Sequence, residues 1–305
     1  MPLTVATCQF PVSADIAANL RWIGDQMRQA RAGGADVAHF PEASLSGYAG
    51  VDLASFADFD WPALRAATLG IAELAHELRL WVVVGSAHPL TAGRKPHNCA
   101  YVIDDHGRIV DRYDKRFCAG DVDGISGDLA HYTPGDHWAV FDIKGVRCGV
   151  LICHDYRYPE LYRAYQQRGV RLMFHGYHAG GLTDERYATM AAQVGDQHRA
   201  FGGGETLPAI TMPAGMITAA SNNNMWISCP NTSAPVSCWP AFLVRPDGVI
   251  TGALEVGQDG VLISSVDPDA PIYDSTVAWR DRAIHGRLHS GELVDDPRSR
   301  TRSEI

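Results

Sequence analysis

Strand-like apolar runs alternate with helical patterns over most of the chain. Residues 3–10, LTVATCQF, are typical of a buried strand, and apolar positions then recur at helical spacing: Leu20, Ile23, Met27 and Ala30. A second pair follows, with the run VAHF at 37–40 and helical spacing over residues 64–78. Because strands and helices are mixed along the sequence and not segregated, the pattern predicts an α/β fold.

The middle of the chain shows several strand patterns joined by short turns. The runs are LWVVVGSAH, NCAYVID, RIVDRY, WAVFDI and VRCGVLIC, and turn residues between them are typical of hairpins. This many strands favours two sheets over one. A helix is predicted to begin at Pro159 and to stop at Gly169, directly before the strand VRLMF.

The second half predicts a helix around residues 184–200, a less regular stretch at 208–224, and three strands, MWISC, AFLV and GVLISSV. No low-complexity linker divides the chain. We therefore predict a single domain over residues 1–280. A polar extension follows over residues 281–305, where arginines and acids are interleaved, and it could contact a partner subunit.

Composition narrows the classes of partner. The chain has 305 residues, 46% of them hydrophobic and 20% charged, with a formal net charge of -9. No basic block offsets the acids, so neither nucleic acid nor a membrane is the expected partner, and a small molecule fits better. No apolar run is long enough to span a bilayer and the start lacks the pattern of a signal peptide, so we expect a cytoplasmic location.

The cysteines and histidines predict neither a disulfide framework nor a metal site. The seven cysteines are scattered and never spaced as CxxC. Two histidines lie three apart in the stretch HGYH at 175–178, but no nearby pair of carboxylates completes a metal triad. We expect most of the cysteines to be reduced and no metal to be bound.

Three ionisable residues follow strand-like runs: Glu42, Lys115 and Cys153. Loops that leave strand ends converge over one crevice in sheet proteins with covering helices, so these side chains can meet. Together they suit acyl transfer by a thiol, because a cysteine with a free pKa of about 8.5 needs a base or a positive charge to attack at neutral pH. Glu42 could take the proton, and Lys115 could supply the charge and stabilise an oxyanion. Each residue alone would more often be structural.

The stretches around these residues resemble the motifs of the nitrilase, or carbon-nitrogen hydrolase, superfamily: FPEASLSGY, YDKRFC and GVLICHDYRYPELYR, in the family's order. The resemblance implies a four-layer αββα sandwich with two mixed β-sheets, which pairs into an eight-layer homodimer through helices near the cysteine motif. It implies Glu42 as general base, Lys115 as oxyanion stabiliser and Cys153 as the nucleophile that forms a thioester. It implies no metal and no organic cofactor.

Five further residues are predicted at the site. Many members of the family have a second glutamate where this chain has Asp128, one methylene shorter, so Asp128 is the predicted supporting carboxylate, with a plain surface aspartate beside Gly127 as the alternative. Tyr48, at the end of the glutamate motif, and His154, beside the nucleophile, are predicted to line the substrate pocket. Arg157 could either bind a substrate carboxylate or orient the loop, and His178 lies in a loop expected at the rim of the crevice.

The residues after the cysteine favour an amide substrate. True nitrilases usually follow the cysteine with Trp-Glu, whereas this chain has His154 and Asp155, and carbamoyl-amino-acid hydrolases tend to have a second arginine where this chain has Tyr156. The predicted function is hydrolysis of a small amide to a carboxylic acid and ammonia or an amine. The alternatives are a nitrile or N-carbamoyl amino acid hydrolase and a non-catalytic ligand-binding member of the same fold. A serine hydrolase is disfavoured because the chain lacks G-x-S-x-G.

Overall fold

The computed structural model describes residues 2–198 and 203–303 of the chain. The strands in these ranges are β1 Leu3–Gln9, β2 Val37–His39, β3 Trp81–His88, β4 His97–Ile103, β5 Ile109–Asp114, β6 Val140–Ile143, β7 Val146–Ile152, β8 Leu172–Gly176, β9 Trp226–Cys229, β10 Phe242–Val244, β11 Ile250–Ala253 and β12 Gly260–Val266. The helices that we name are α1 Ile16–Ala32, α2 Trp61–Leu78, α3 Pro159–Gln167, α4 Asp184–Ala192, α5 Leu207–Asn223, α6 Arg280–Ile284 and α7 Pro297–Arg300. Two 3₁₀ turns, Gly127–Ala130 and Cys153–Arg157, lie at the predicted site.

The strands form two six-stranded sheets of the same design. The first sheet has the order β12-β1-β2-β3-β4-β5 and the second has the order β11-β10-β9-β8-β7-β6. In each sheet three neighbouring strands run parallel, β1-β2-β3 and β7-β8-β9, and antiparallel strands flank them. The prediction of an α/β fold with two mixed sheets is confirmed.

The two sheets pack face to face through a core that is apolar except for a few polar groups. Alternate residues of the parallel strands, such as Val37 and Val83, are buried in it. The Ser228 hydroxyl bonds the Thr7 hydroxyl at 2.8 Å and the ring nitrogen Nδ1 of His39 at 3.0 Å. These hydrogen bonds pair polar groups that burial would otherwise leave unsatisfied, and they join one sheet to the other.

Helices cover the outer face of each sheet. α1 and α2 begin after Asp15 and Asp60, whose side chains accept hydrogen bonds from backbone N–H groups of the first helical turn. Their apolar faces pack on the outer residues of β1, β2 and β3. α3 and α5 cover the second sheet, and the Tyr165 hydroxyl of α3 donates to the Val150 carbonyl at 2.8 Å. The layers therefore follow in the order helices, sheet, sheet, helices.

The structure corrects the prediction of an irregular stretch at 208–224, most of which forms α5. Pro213 lies inside this helix, and an internal proline lowers helix propensity strongly. Met212, Met216 and Ala219 nevertheless recur at helical spacing and are buried. Packing against the second sheet and α3 therefore outweighs the local propensity.

Two other elements differ from the prediction. The sequence did not predict β11, because its residues Ile250–Ala253 are mostly exposed and show no regular alternation of buried and exposed positions. The helix expected around 184–200 is interrupted: α4 ends at Ala192, and residues 196–198 are helical again after a turn. Residues 199–202 lie outside the described ranges.

The C-terminal residues carry the short helices α6 and α7 and are largely exposed. The division into a domain over 1–280 and an extension over 281–305 stays a prediction, as does a contact of the extension with a second subunit. No helix within residues 2–198 and 203–303 is long and apolar enough to cross a membrane.

The loop after β2 lies directly on β3 at Gly85. A Cβ atom added at Gly85 would lie 2.2 Å from the Pro41 carbonyl oxygen and 2.6 Å from the Ala43 nitrogen. The Leu45 N–H also donates to the Gly85 carbonyl at 2.9 Å. Only a glycine allows this approach of two backbones, so Gly85 fixes the position of Glu42 in the loop.

We expect Gly85→Ala to lower the free energy of unfolding by about 1–3 kcal/mol, because the added methyl group overlaps backbone atoms that cannot rotate away. Urea denaturation followed by circular dichroism measures the change. Gly70→Ala is the matched control, since Gly70 lies in α2 with open space around its Cβ position and should tolerate alanine. Equal stability of the two variants would show that the loop can shift without cost.

Candidate active site

Glu42 lies in the loop after β2 and is 1% exposed. Its backbone N–H donates to the carbonyl of Tyr177, the residue after β8, at 3.2 Å, so the loop contacts both sheets. Oxygen Oε1 accepts hydrogen bonds from Asn98 Nδ2 and Lys115 Nζ, each at 2.7 Å. Oxygen Oε2 has no hydrogen-bond partner among the described residues. One oxygen is therefore held in place while the other keeps its lone pairs free.

Lys115 directly follows β5 and is fully buried. Its backbone N–H donates to the Asn98 carbonyl of β4 at 2.9 Å. Its ammonium donates to Glu42 Oε1 and to Asp128 Oδ2, both at 2.7 Å, which leaves one N–H group for another acceptor. Burial opposes the charge, but the Glu42 and Asp128 carboxylates more than offset it and hold the pKa of Lys115 well above its usual value.

Asp128 lies in the 3₁₀ turn Gly127–Ala130, and its shorter side chain does reach Lys115. Oδ2 also accepts the Ala119 N–H at 2.8 Å, and Oδ1 accepts a hydrogen bond from the Tyr48 hydroxyl. Burial alone would raise the pKa of Asp128, but the Lys115 charge and these hydrogen bonds bring it below its ordinary value. An ionised carboxylate therefore lies beside the lysine at the position predicted for the supporting acid.

Cys153 begins the 3₁₀ turn after β7 with a backbone φ of 43°. This left-handed conformation is uncommon for a residue with a side chain and is found more often at functional sites. Burial raises the pKa of the Cys153 thiol well above its usual value, the adjacent Glu42 carboxylate adds to the shift, and the Lys115 charge opposes it only in part. At neutral pH the group is a thiol and not a thiolate. The geometry thus favours proton removal by Glu42 over activation by the charge of Lys115.

Three buried polar residues that the sequence did not place in the cluster support it: Asn98, Asp155 and His175. Asp155 ties the cysteine turn to the lysine loop, because it accepts hydrogen bonds from the Tyr113 hydroxyl at 2.8 Å and from the Phe117 N–H at 2.9 Å. Burial raises the pKa of Asp155 to about 6. A polar residue on the buried face of a strand is the signal that could have found Asn98.

His175, on β8 of the second sheet, holds the turn that begins at Cys153. Its Nε2 lies 3.1 Å from the Cys153 carbonyl oxygen, and its Nδ1 lies 2.8 Å from the Tyr162 hydroxyl. Burial lowers the pKa of His175 to about 3, so the ring is neutral near pH 7. The network assigns the proton to Nε2, which donates to Cys153, while Nδ1 accepts from Tyr162. The sequence signal here is a histidine inside the otherwise apolar strand β8.

Of the predicted pocket residues, Tyr48 and His178 lie together and Arg157 lies apart. The ring centroids of Tyr48 and His178 are 5.1 Å apart. His154 is partly buried beside the nucleophile, and burial lowers its pKa. Arg157 is exposed, and its guanidinium lies 4.6 Å from the centroid of the Tyr156 ring. The structure therefore does not place Arg157 beside Tyr48 and His178.

Two cavities border this region. A cavity of about 340 Å³ has Tyr48 and His178 in its wall, and we call it the Tyr48 cavity. A larger groove of about 720 Å³ lies between α3 and α5 and includes Tyr156 of the cysteine turn. Tyr48 joins the smaller cavity to the charged site, because its hydroxyl donates to Asp128, the partner of Lys115. The smaller cavity is large enough for a small ligand, since the volumes of ligand pockets typically start at ~300 Å³. It is the better candidate for a substrate pocket.

Comparison with known proteins decides the family. Residues 4–270 match the family model described as carbon-nitrogen hydrolase. The chain belongs to this family. Omega-amidase NIT2 of Bos taurus is 29% identical to it over 174 residues, which are 55% of this chain and 61% of the relative. 2-Oxoglutaramate amidase of Bacillus subtilis is 28% identical over 140 residues, 46% of this chain and 51% of the relative. The chain thus matches less than two thirds of the length of these two curated relatives.

Solved structures of an amidase from Nesterenkonia sp. share the fold of this carbon-nitrogen hydrolase. A variant of that amidase, described as a member of the nitrilase superfamily, has a TM-score of 0.71 and 22% identity and covers 94% of this chain and 97% of its own. Another variant, with a TM-score of 0.71 and 21% identity, carries the acetamide moiety of fluoroacetamide on its active-site cysteine. At this level of identity the likeness establishes the fold.

We expect Glu42→Gln to shift the pH dependence of Cys153 alkylation to lower pH. The variant removes the negative charge that raises the thiol pKa and leaves the Lys115 charge less compensated, so the pKa of Cys153 should fall by about one unit or more. The rate of iodoacetamide labelling is measured against pH, with the peptide of Cys153 quantified by mass spectrometry. Cys238, whose pKa is raised by burial without a contribution from Glu42 or Lys115, provides an internal control that should keep its own profile. An unchanged or higher midpoint for Cys153 would contradict this account of the site's charge.

Proposed function

We propose that this protein hydrolyses the C–N bond of a small amide through a thioester at Cys153 and releases a carboxylic acid and ammonia or an amine. The observation that carries the proposal is the free oxygen Oε2 of Glu42 next to the protonated thiol. A nucleophile beside a base that is itself held in place is the arrangement that covalent catalysis needs. Membership of the carbon-nitrogen hydrolase family and the amidase names of its relatives support an amide as the substrate.

The first step is the attack of the Cys153 sulfur on the amide carbonyl carbon while Glu42 Oε2 takes the thiol proton. The oxyanion that forms would accept the remaining N–H of Lys115 and the backbone N–H of His154. The first N–H groups of a helical turn have no acceptor within the turn, so the N–H of His154 suits this role.

The second stage releases the two products in turn. Collapse of the adduct breaks the C–N bond, and Glu42 gives its proton to the leaving ammonia or amine. A water molecule then adds to the thioester carbon while Glu42 takes a proton from it. The C–S bond breaks, the proton passes to the sulfur, and the acid leaves.

The alternatives have less support. A nitrile or an N-carbamoyl amino acid could be attacked by the same thiol. However, Arg157, the residue predicted to bind the carboxylate of an amino acid, is exposed and its guanidinium lies over the Tyr156 ring. A non-catalytic ligand-binding member of the fold would not need a base, a lysine and a thiol held in contact. The hydrogen bond from Lys115 to Glu42, together with the Glu42 carboxylate beside the Cys153 thiol, therefore favours an enzyme.

A panel of amides, nitriles and N-carbamoyl amino acids, assayed for ammonia release, tests the proposal. We expect amides to be hydrolysed and Cys153→Ala to lower kcat by at least about 10⁴-fold, because removal of a nucleophile costs that much in comparable enzymes. Cys118→Ser removes another partly buried thiol and should retain activity. Mass spectrometry of the quenched reaction should find the acyl group on Cys153.

Ammonia release by Cys153→Ala at the rate of the unchanged protein would overturn the proposal. So would the absence of both hydrolysis and an adduct on Cys153 across the whole panel, which would favour the ligand-binding alternative.

We propose further that two copies pair through the face formed by α3 and α5, as the family resemblance suggests. The groove of about 720 Å³ lies on this face, and small residues of α5, Ala214 and Gly215, line it. Small side chains let a second helix approach closely. A self-complementary contact of this kind gives a closed pair with twofold symmetry.

Light scattering should give the mass of a dimer, and Ala214→Glu should shift it toward the monomer. Ala214 is exposed in the single chain, so the change should spare the fold while placing a charge in the proposed contact. Leu69→Glu adds the same charge to an exposed apolar position of α2 and should leave the dimer intact. A monomer at micromolar concentration, or equal effects of both variants, would contradict the pairing.

A further inference from the structure

A histidine inside β8 contacts the backbone of the nucleophile. His175 is fully buried, and the parallel pairing of β7 with β8 sets it opposite Leu151, two residues before Cys153. Its Nε2 lies 3.1 Å from the Cys153 carbonyl oxygen. Because a carbonyl oxygen can only accept, this nitrogen carries the proton and donates. The reaction proposed above uses the sulfur of Cys153 and leaves this contact with its carbonyl unexplained.

The imidazole of His175 is fixed on its other sides as well. The Tyr162 hydroxyl of α3 lies 2.8 Å from Nδ1 and donates to it. The Tyr177 ring stacks on the imidazole, with the ring centroids 4.5 Å apart and the planes 10° apart. Both tyrosines are buried. These contacts hold the Nε2–H group of His175 toward the Cys153 carbonyl.

The peptide unit that His175 holds is the one that carries the N–H assigned above to the oxyanion. The carbonyl of Cys153 and the N–H of His154 belong to the same trans peptide, which is planar, so the two groups point in opposite directions. Fixing the carbonyl therefore fixes the direction of the N–H. A hydrogen bond accepted by the carbonyl also polarises the peptide and makes its N–H a stronger donor.

The backbone at Cys153 needs support from its surroundings, because a φ of 43° is uncommon for a residue with a side chain. Such a conformation persists only where neighbouring contacts hold it. Before Cys153, the Ile152 N–H donates to Asp155 Oδ2 at 3.0 Å. After it, His175 holds the carbonyl. The nucleophile is thus fixed through the backbone groups on both sides of its side chain.

We propose that His175 is a positioning residue for the oxyanion, because it orients the peptide between Cys153 and His154 so that the His154 N–H points at the oxygen of the adduct. It acts through the backbone and does not touch the reacting atoms. Tyr162 supports it by holding the tautomer that donates from Nε2. Since an oxyanion forms only if the thiol attacks a carbonyl group, the role rests on the amidase function proposed above.

The test compares two reactions of the same thiol. Hydrolysis of butyramide passes through an oxyanion, whereas alkylation by iodoacetamide displaces iodide from a saturated carbon and forms none. We expect His175→Leu to lower kcat for ammonia release at least about tenfold with KM unchanged, because loss of a whole oxyanion donor costs about 10²–10³-fold in kcat. The rate of Cys153 labelling, followed by mass spectrometry, should match that of the unchanged protein.

Three further variants separate positioning from packing. His175→Gln keeps an N–H donor near the position of Nε2 and should recover most of kcat. Tyr162→Phe removes only the hydroxyl that holds the tautomer and should lower kcat less than His175→Leu does. Tyr165→Phe is the matched control, because it also removes a buried hydroxyl of α3 that bonds the second sheet, here at Val150, and it should keep kcat.

An equal loss of hydrolysis and of labelling in His175→Leu would show that the histidine only keeps the sulfur in place, and would overturn the positioning role. So would an unchanged kcat in His175→Leu, or no recovery in His175→Gln. Circular dichroism checks the folding of each variant. If His175→Leu is unfolded, Tyr162→Phe carries the test, and a kcat equal to that of Tyr165→Phe would overturn the proposal.

If the unchanged protein does not hydrolyse butyramide, butanal tests the oxyanion site without turnover. The Cys153 sulfur adds to the aldehyde carbon, the C=O bond becomes a C–O single bond, and the thiol proton passes through Glu42 to the oxygen. The adduct protects Cys153 from iodoacetamide, so the butanal concentration that gives half protection is measured. A rise of about fivefold or more in His175→Leu, absent in Tyr165→Phe, would support the role although hydrolysis had failed. Equal values, or no protection of the unchanged protein, would overturn it.

Discussion

The buried ammonium of Lys115 is the interaction on which the rest of the site depends. A charge removed from water is tolerated only when it is paired and hydrogen-bonded, and this one lies 2.7 Å from a carboxylate oxygen of both Glu42 and Asp128. The three residues come from separate parts of the chain: the loop after β2, the end of β5 and a 3₁₀ turn. Pairing the ammonium therefore fixes three segments at once.

The charges of Lys115, Glu42 and Asp128 also set the protonation state of the Cys153 thiol. One ammonium and two carboxylates leave a net negative charge beside Cys153, which disfavours a thiolate there. The resting site therefore holds a protonated sulfur, and in the proposed reaction the proton would leave as the sulfur attacks. Asp128 contributes to this balance although it is shorter than a glutamate, because hydrogen bonds from Tyr48 and the Ala119 N–H hold its turn against Lys115.

Local sequence patterns could predict the strand ends but not how those ends are oriented. Glu42, Lys115 and Cys153 could be named because a strand-like run precedes each of them. The hydrogen bond that orients Glu42 could not be predicted, since Asn98 is 56 residues away and reaches it only through the register of three strands. Helix α5 escaped prediction for a related reason: its proline is a local signal, whereas the packing that overrides it is not local.

The pairing of β1 with β12 has a consequence for how the protein is made. Residues 3–9 lie against residues 260–266, and the Gln9 amide donates to the Glu255 carbonyl at 2.8 Å. A nascent chain leaving the ribosome exposes one edge of its first sheet until residues 260–266 have been synthesised. Such an edge offers unpaired backbone groups to other chains. The edge is therefore closed only when β12 pairs with β1, although the two strands lie at opposite ends of the matched region.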